Sequence, residues 1–273
     1  MSATGEWTGG SVYEAVSESA ARVRITLPPA ELAALAEERG IGEEGLGAVA
    51  EVFGYLAERQ HEATIQTLLR LSRLPQRAPK TFDNFDFGRI RGRDADALRD
   101  LRTLSNLHSS RNIAFVGPGG IGKTHLAQAY GRACCLAGYK TYYLKASELR
   151  DRLQRAVETG TEAKAVAFLV KPSCLIVDEI GRCVLDRACT DLFFDVVDRR
   201  YERETPNTMV LTSNTPVNNW DEFFMGDTET LVCTLDRIFD RASVFMMRGP
   251  SFRGADCERF SVEAVPSVSR VRQ

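Results

Sequence analysis

Asn112-Ile-Ala-Phe-Val-Gly117-Pro-Gly119-Gly-Ile-Gly122-Lys-Thr124-His-Leu126 is the stretch from which the fold can be read. The apolar run Ile113 to Val116 predicts a buried strand. Gly117-Pro118-Gly119-Gly120-Ile121-Gly122-Lys123-Thr124 then fits the phosphate-loop pattern G-x-x-x-x-G-K-[ST] at each fixed position. Glycines let the backbone curl until successive N–H groups face phosphate oxygens. The helix predicted after the loop adds the positive end of its dipole. Lys123 is the expected ligand of the β- and γ-phosphates, Thr124 offers a hydroxyl to Mg²⁺, and His125 follows directly. A nucleoside triphosphate, ATP, is the expected ligand.

Downstream of the loop the pattern alternates. Strands are predicted over 140–144, 173–178, 208–213 and 243–247. Helices are predicted over 123–137, from Ser147 as a cap to about 158, and over 162–170, 187–203 and 230–241. Strict alternation means a parallel sheet covered by helices on both faces, with ligands at the carboxyl ends of the strands. Upstream, 1–10 reads as a loose tail and Val23 to Leu27 as a short strand. A helix is expected from Ala30 to Arg39, ended by Gly40. A long helical pattern from Glu43 to Leu74 is expected to break near Gln60. Pro75 and Pro79 bracket a linker. Thr81-Phe-Asp-Asn-Phe-Asp-Phe87 reads as a hydrophobic anchor, a lip against the nucleotide base, or both. A helix is expected from Asp94 to Leu107.

Three further patterns carry chemistry. Leu175-Ile-Val-Asp178-Glu179 is an apolar strand ending in two acids. Asp178 is placed to hold Mg²⁺ and Glu179 to orient or deprotonate the attacking water, which favours hydrolysis over phosphoryl transfer to a small acceptor. Asn214 ends the next strand, where a carboxamide can hold water or sense the γ-phosphate. Arg237, in Thr234-Leu-Asp-Arg237-Ile, is either a finger for a neighbouring subunit's phosphate or a surface pair with Asp236.

Composition narrows the class. The 273 residues are 44% hydrophobic and 26% charged with a net charge of −2, so the whole is no general polyanion binder. The distribution is uneven. Residues 1–58 carry ten acids against three arginines, and 59–93 carry eight bases against three acids. The basic segment suits either a phosphate backbone or a solvated face. Seven cysteines without C-x-x-C spacing argue against a disulfide framework or a zinc site. No signal peptide or membrane-length apolar run is visible, so the expected setting is cytoplasmic and reducing.

Together these residues resemble the AAA+ superfamily, and within it the IstB-like transposition-helper ATPases related to DnaC-type helicase loaders. The likeness runs from about Leu71 to Gly254. It includes the lead-in 81–87, the loop with its His125-Leu126, Asp178-Glu-Ile-Gly181 with Leu185-Asp186, Tyr201-Glu-Arg203, Thr212-Ser-Asn214, Leu235-Asp-Arg237 and Arg248-Gly-Pro-Ser-Phe-Arg253. Arg182-Cys183-Val184 departs from it, standing where the family tends to have an aromatic residue and a proline.

The resemblance implies an AAA+ P-loop NTPase core over 112–254 and a mainly helical, partner- or DNA-binding extension over 1–74. A linker and lead-in helix would fill 75–111, and a tail 255–273 would leave no C-terminal lid. It assigns Lys123 and Thr124 to phosphate and Mg²⁺, Asp178 and Glu179 to the acidic motif, Asn214 to sensor 1 and Arg237 to the finger. It further implies ATP-dependent self-assembly on DNA, double-stranded by preference, in the service of a cognate transposase. The alternative is a loader placing a replicative helicase on single strands.

Overall fold

A computed structural model describes residues 11–92, 94–204 and 206–252. The readings of 1–10, Arg93, Arg253 and 255–273 lie outside the described residues.

Three helices open the chain: α1 (Val12–Arg22), α2 (Pro29–Arg39) and α3 (Glu43–Leu71). Helix α1 has a full capping box, with Ser11 and Glu14 each accepting from the other's backbone N–H. Helix α2 starts on a proline and stops at Gly40, whose φ of 64° is the left-handed conformation glycine tolerates. The three pack around Val16, Ala20, Leu32, Leu46 and Ala50.

Two expectations fail here. Val23 to Leu27 forms no strand, and α1 has no counterpart among the predicted elements. Arg24 has a φ of 65°, which turns the chain between α1 and α2 and bars an extended run. The expected break near Gln60 is also absent, because α3 is one helix of 29 residues. Its apolar pattern changes partner, not conformation. Leu46, Ala50 and Phe53 face the N-terminal unit, whereas Ile65, Leu68 and Leu69 face the next one. Residues 58–64 between them are exposed and rich in good helix formers.

After the lead-in come α4 (Ala95–Asp100) and α5 (Ser105–His108), then β1 (Asn112–Val116) and α6 (Lys123–Leu136). The single helix expected over 94–107 is thus divided, since Leu104 takes a left-handed φ of 58°. There follow β2 (Thr141–Lys145), α7 (Ala146–Thr159), α8 (Glu162–Val170), β3 (Cys174–Ile180), α9 (Arg187–Tyr201), β4 (Thr208–Ser213), α10 (Thr228–Phe239) and β5 (Ala242–Met246). Strand β2 runs straight into α7, so Lys145 takes the cap position and Ser147 falls inside the helix. Glu148 accepts from the Lys145 N–H at 2.9 Å.

The sheet order is β2-β3-β4-β1-β5, and every pairing is parallel. Alternate residues of each strand go to opposite faces. Ala114, Val116, Leu175, Val177 and Leu211 join one core with α7, α8, α9 and α10. Ile113, Phe115, Ile176 and Val210 join the other with α6 and the C-terminal end of α3. Strand β4 separates β1 from β3, so the loop after β1 and the acids of β3 flank one crevice at the carboxyl edge. Among the described residues no helix is long and apolar enough to cross a membrane.

Candidate nucleotide and metal site

The loop after β1 is held from three sides. Gly117 donates its N–H to Ser213 O at the end of β4 (3.1 Å). A Cβ on Gly117 would lie 2.0 Å from the Met247 carbonyl oxygen, so only glycine lets the chain pass β5 there. Gly122 has a φ of 91°, and a Cβ on it would meet the Phe85 ring at 2.6 Å. We expect Gly122→Ala to weaken nucleotide binding and to cost about 1–3 kcal/mol of stability, from left-handed strain plus the clash. Nucleotide titration alongside chemical denaturation would measure both.

Lys123 is buried and donates from Nζ to the Gly117 and Pro118 carbonyls at 2.7 and 2.6 Å. Its ammonium is therefore gathered over the loop. Thr124 Oγ1 donates to Asp178 Oδ1 at 2.9 Å, so a hydroxyl from α6 and a carboxylate from β3 meet. Asp178 is also held by the Tyr143 hydroxyl (2.7 Å, to Oδ2) and the Thr212 hydroxyl. Burial, with this carboxylate beside it, pushes the Tyr143 phenol up. A hydroxyl and a carboxylate within hydrogen-bond distance, beside the glycine loop, are oxygen ligands of the kind that a Mg²⁺ ion shared with a triphosphate would take. The residues fit that group.

Thr212 joins the two acids. Its Oγ1 donates to Asp178 and accepts from the Glu179 N–H at 2.9 Å. The ladder between β3 and β4 is irregular between Val177 and Ile180, and Glu179 has a φ of 62°. A left-handed glutamate inside a strand stores about 1–3 kcal/mol of strain, a feature that clusters at functional sites. Asn214 is exposed one residue beyond β4, between the ends of β1 and β3, since Ser213 pairs with both Val116 and Ile180.

His125 differs from the loop residues around it. Its Nε2 donates to the Thr81 carbonyl (2.9 Å) and its ring meets Phe85 edge-on at 5.1 Å, tying α6 to the lead-in. Burial, opposed by the Thr81 hydrogen bond and helped by Lys80, pushes its imidazole below the ordinary value. Phe82 and Phe85 are buried, which makes the 81–87 stretch an anchor. A cavity of about 380 Å³ lies beside the loop instead, lined by Arg89, Asp94, Ile121, Met247 and Phe252 among others. Arg89 stacks 4.1 Å over the Phe252 ring, and Phe252 N–H donates to Gly120 O at 2.7 Å.

Arg237 does not join this constellation. It pairs with Asp198 at 3.3 Å and lines a small cavity with Ser110, Asn112 and Asn207, at the amino ends of β1 and β4. The loop sits at the opposite end of β1, about 16 Å away at 3.3 Å per residue. The basic segment is also partly committed. Arg73 donates to Glu148 at 2.6 Å and to the Tyr142 hydroxyl at 3.4 Å.

Sequence reading missed Tyr143 and Thr212 as ligands of Asp178, and Lys145 and Arg182 as neighbours of Glu179. The available signal was a hydroxyl-bearing residue inside an otherwise apolar strand.

Comparison with known proteins agrees with this architecture. A family model described as IstB-like ATP binding protein matches residues 33–258. A protein named as the ATP-binding protein of insertion sequence IS5376, from Geobacillus stearothermophilus, is 40% identical over 198 residues, 72% of this chain and 76% of that one. The similarly named protein of IS21 from Pseudomonas aeruginosa is 32% identical over 71% of each chain. Among solved structures, AMPPCP-bound DnaA from Aquifex aeolicus superimposes with a TM-score of 0.51 at 21% identity, over 63% of this chain and 51% of that one. That match spans about half of DnaA and is a likeness of fold, the α/β phosphate-loop AAA+ fold. The chain belongs to the IstB-like ATP-binding protein family.

Proposed function

We propose that this chain is a Mg²⁺-dependent ATPase that assembles on double-stranded DNA and assists the transposase of an insertion sequence. The observation that carries the hydrolytic part is the Thr124–Asp178–Thr212–Glu179 hydrogen-bond chain beside the phosphate loop. In this reading the loop N–H groups and Lys123 bind the β- and γ-phosphates, and Asn214 positions the attacking water. Glu179 takes the proton from that water as it attacks the γ-phosphorus. Thr124 and Asp178 would hold Mg²⁺, which when bound would neutralise phosphate charge. Tyr143 and Thr212 keep the Asp178 carboxylate oriented.

Self-assembly is supported by Arg237. A cation so far from its own loop acts on phosphate only when a second copy brings its loop alongside. The DNA and transposase partners rest on the names of the insertion-sequence relatives and on the basic residues of 59–93, in a cytoplasmic setting. The test is ATP turnover against protein concentration, without DNA and with double or single strands. Turnover rising steeply with concentration and stimulated by the duplex is expected. Preference for single strands would favour the helicase-loader reading, and a flat, DNA-blind rate would remove the assembly model.

A further inference from the structure

Two helices on one face of the sheet bring Arg237 and Asp198 together. Arg237 lies on α10 beside Ile238, which is 1% exposed, and Asp198 lies on α9 beside Val197, which is 2% exposed. Both helices are therefore fixed by the same core. The end of α10 is tied further to β1, because the Ile238 carbonyl accepts from Asn112 Nδ2 at 2.9 Å. What can still move at this edge is the Arg237 side chain, which is 41% exposed.

A long cationic side chain samples many rotamers, and ordering it costs entropy. Asp198 limits that search. Its Oδ1 lies 3.3 Å from Arg237 Nη1, and this oxygen is buried with no hydrogen bond among the described residues. The competing acid is already engaged. Asp240, three residues after Arg237, accepts from the Tyr201 hydroxyl at 2.9 Å and pairs with Arg241 at 3.6 Å. Tyr201 stands three residues after Asp198, so α9 supplies both the partner of Arg237 and the group that occupies its rival. A guanidinium has five donors, and one nitrogen turned to Asp198 leaves others for a phosphate. Arg237 meanwhile lines a surface hollow of about 460 Å³ with Tyr201, Asp236, Phe239 and Asp240.

We propose that Asp198 is a positioning residue that holds the Arg237 guanidinium at the sheet edge, in the posture that meets the γ-phosphate on a neighbouring copy. This rests on the reading of Arg237 as a finger acting between subunits. Asp198 acts through Arg237 alone and touches no reacting atom. Tyr201 assists by keeping Asp240 from drawing the guanidinium aside.

The experiment is steady-state ATPase kinetics on full-length Asp198→Asn, Asp198→Glu, Tyr201→Phe and Arg237→Ala, across protein concentration and in mixtures with Glu179→Gln. Asp198→Asn keeps the shape of the side chain and removes its charge. An exposed pair is weak, but a misplaced catalytic group is costly, so kcat should fall about three- to tenfold. KM for ATP should change less than about twofold, since each copy keeps its own loop intact. Asp198→Glu should recover part of the rate, and Tyr201→Phe should lower kcat in the same direction but less. Excess Glu179→Gln should raise turnover per Asp198→Asn subunit, because it lends an intact Asp198–Arg237 pair to a site that still has Glu179. Excess Arg237→Ala should add nothing. A wild-type kcat in Asp198→Asn would overturn the proposal. So would a deficit that vanishes at high protein concentration, which would make the pair an assembly contact. Rescue of Arg237→Ala by Glu179→Gln, with none of Asp198→Asn, would sink the positioning role and leave the finger standing. If neither is rescued, the finger reading falls and takes Asp198 with it.

Discussion

Glu179→Gln is expected to bind ATP as the wild type does and to lose about 10²–10⁴-fold in turnover, the usual share of a general base. The amide keeps the shape of the side chain, and the Glu179 N–H still reaches Thr212. Nothing in the loop, Thr124 or Asp178 is disturbed, so nucleotide affinity should hold while chemistry stops. Arg237→Ala should fail for a different reason. Its side chain pairs with Asp198 at the amino edge of the sheet and cannot reach its own loop, so it would serve a neighbour. Mixing the two inactive variants then has a defined outcome. A Glu179→Gln subunit supplies Arg237 to an Arg237→Ala subunit that still has Glu179, and activity should return. Turnover assays on each variant and on equal mixtures read this directly. Mixtures as inactive as their components would show that Arg237 does not act between subunits.

Arg200→Ala is the largest expected effect on stability, about 3–5 kcal/mol, a substantial part of the 5–15 kcal/mol typical of a domain. Arg200 is 1% exposed on α9. Its guanidinium donates to the carbonyls of Leu169, Val170, Pro172, Ser173 and Thr208. Burial pushes it down to about 9, which leaves it charged at neutral pH. Four of the acceptors lie at the end of α8 and the entry to β3, the fifth, Thr208 O, opens β4, and carbonyls at a helix end attract a cation. Alanine removes the donors, strands buried carbonyls and opens a cavity, and each of these costs stability. Arg203 donates to Val170, Lys171 and Pro172 in the same connection but lies nearer solvent. Arg203→Ala should therefore cost only about 1 kcal/mol. Urea midpoints for the two variants make the comparison, and equal losses would contradict the burial argument.

Local chemistry explains what is legible in the sequence. The phosphate loop, the acidic end of β3 and the alternation of strand and helix follow from residue type at short spacing. The core elements accordingly lie where they are expected, with boundaries moved by only a few residues. The N-terminal half is less legible. Helix α1 does carry local signals, a Ser11–Glu14 capping box and Val16 and Ala20 four residues apart, which the reading passed over; the partner of α3 changes midway along one continuous helix, so its pattern imitates two helices. The Arg24 and Leu104 turns use left-handed backbone at residues that give no glycine signal.

By itself the sequence determined the AAA+ core, the phosphate cradle and the identity of its acids, because those depend on neighbours within a few positions of the chain. Only the tertiary structure decided which of them meet. Placing β4 between β1 and β3 brings Thr212 to Asp178 and Ser213 to Gly117 of the loop. Parallel pairing of β2 with β3 brings Tyr143 to Asp178 and Lys145 to Glu179. The same sheet carries Arg237 to the far edge, away from its own loop. The physical reason is that contacts between distant segments depend on strand order and register. Those are settled when two faces of one sheet bury their apolar sides together, and no local pattern carries that information.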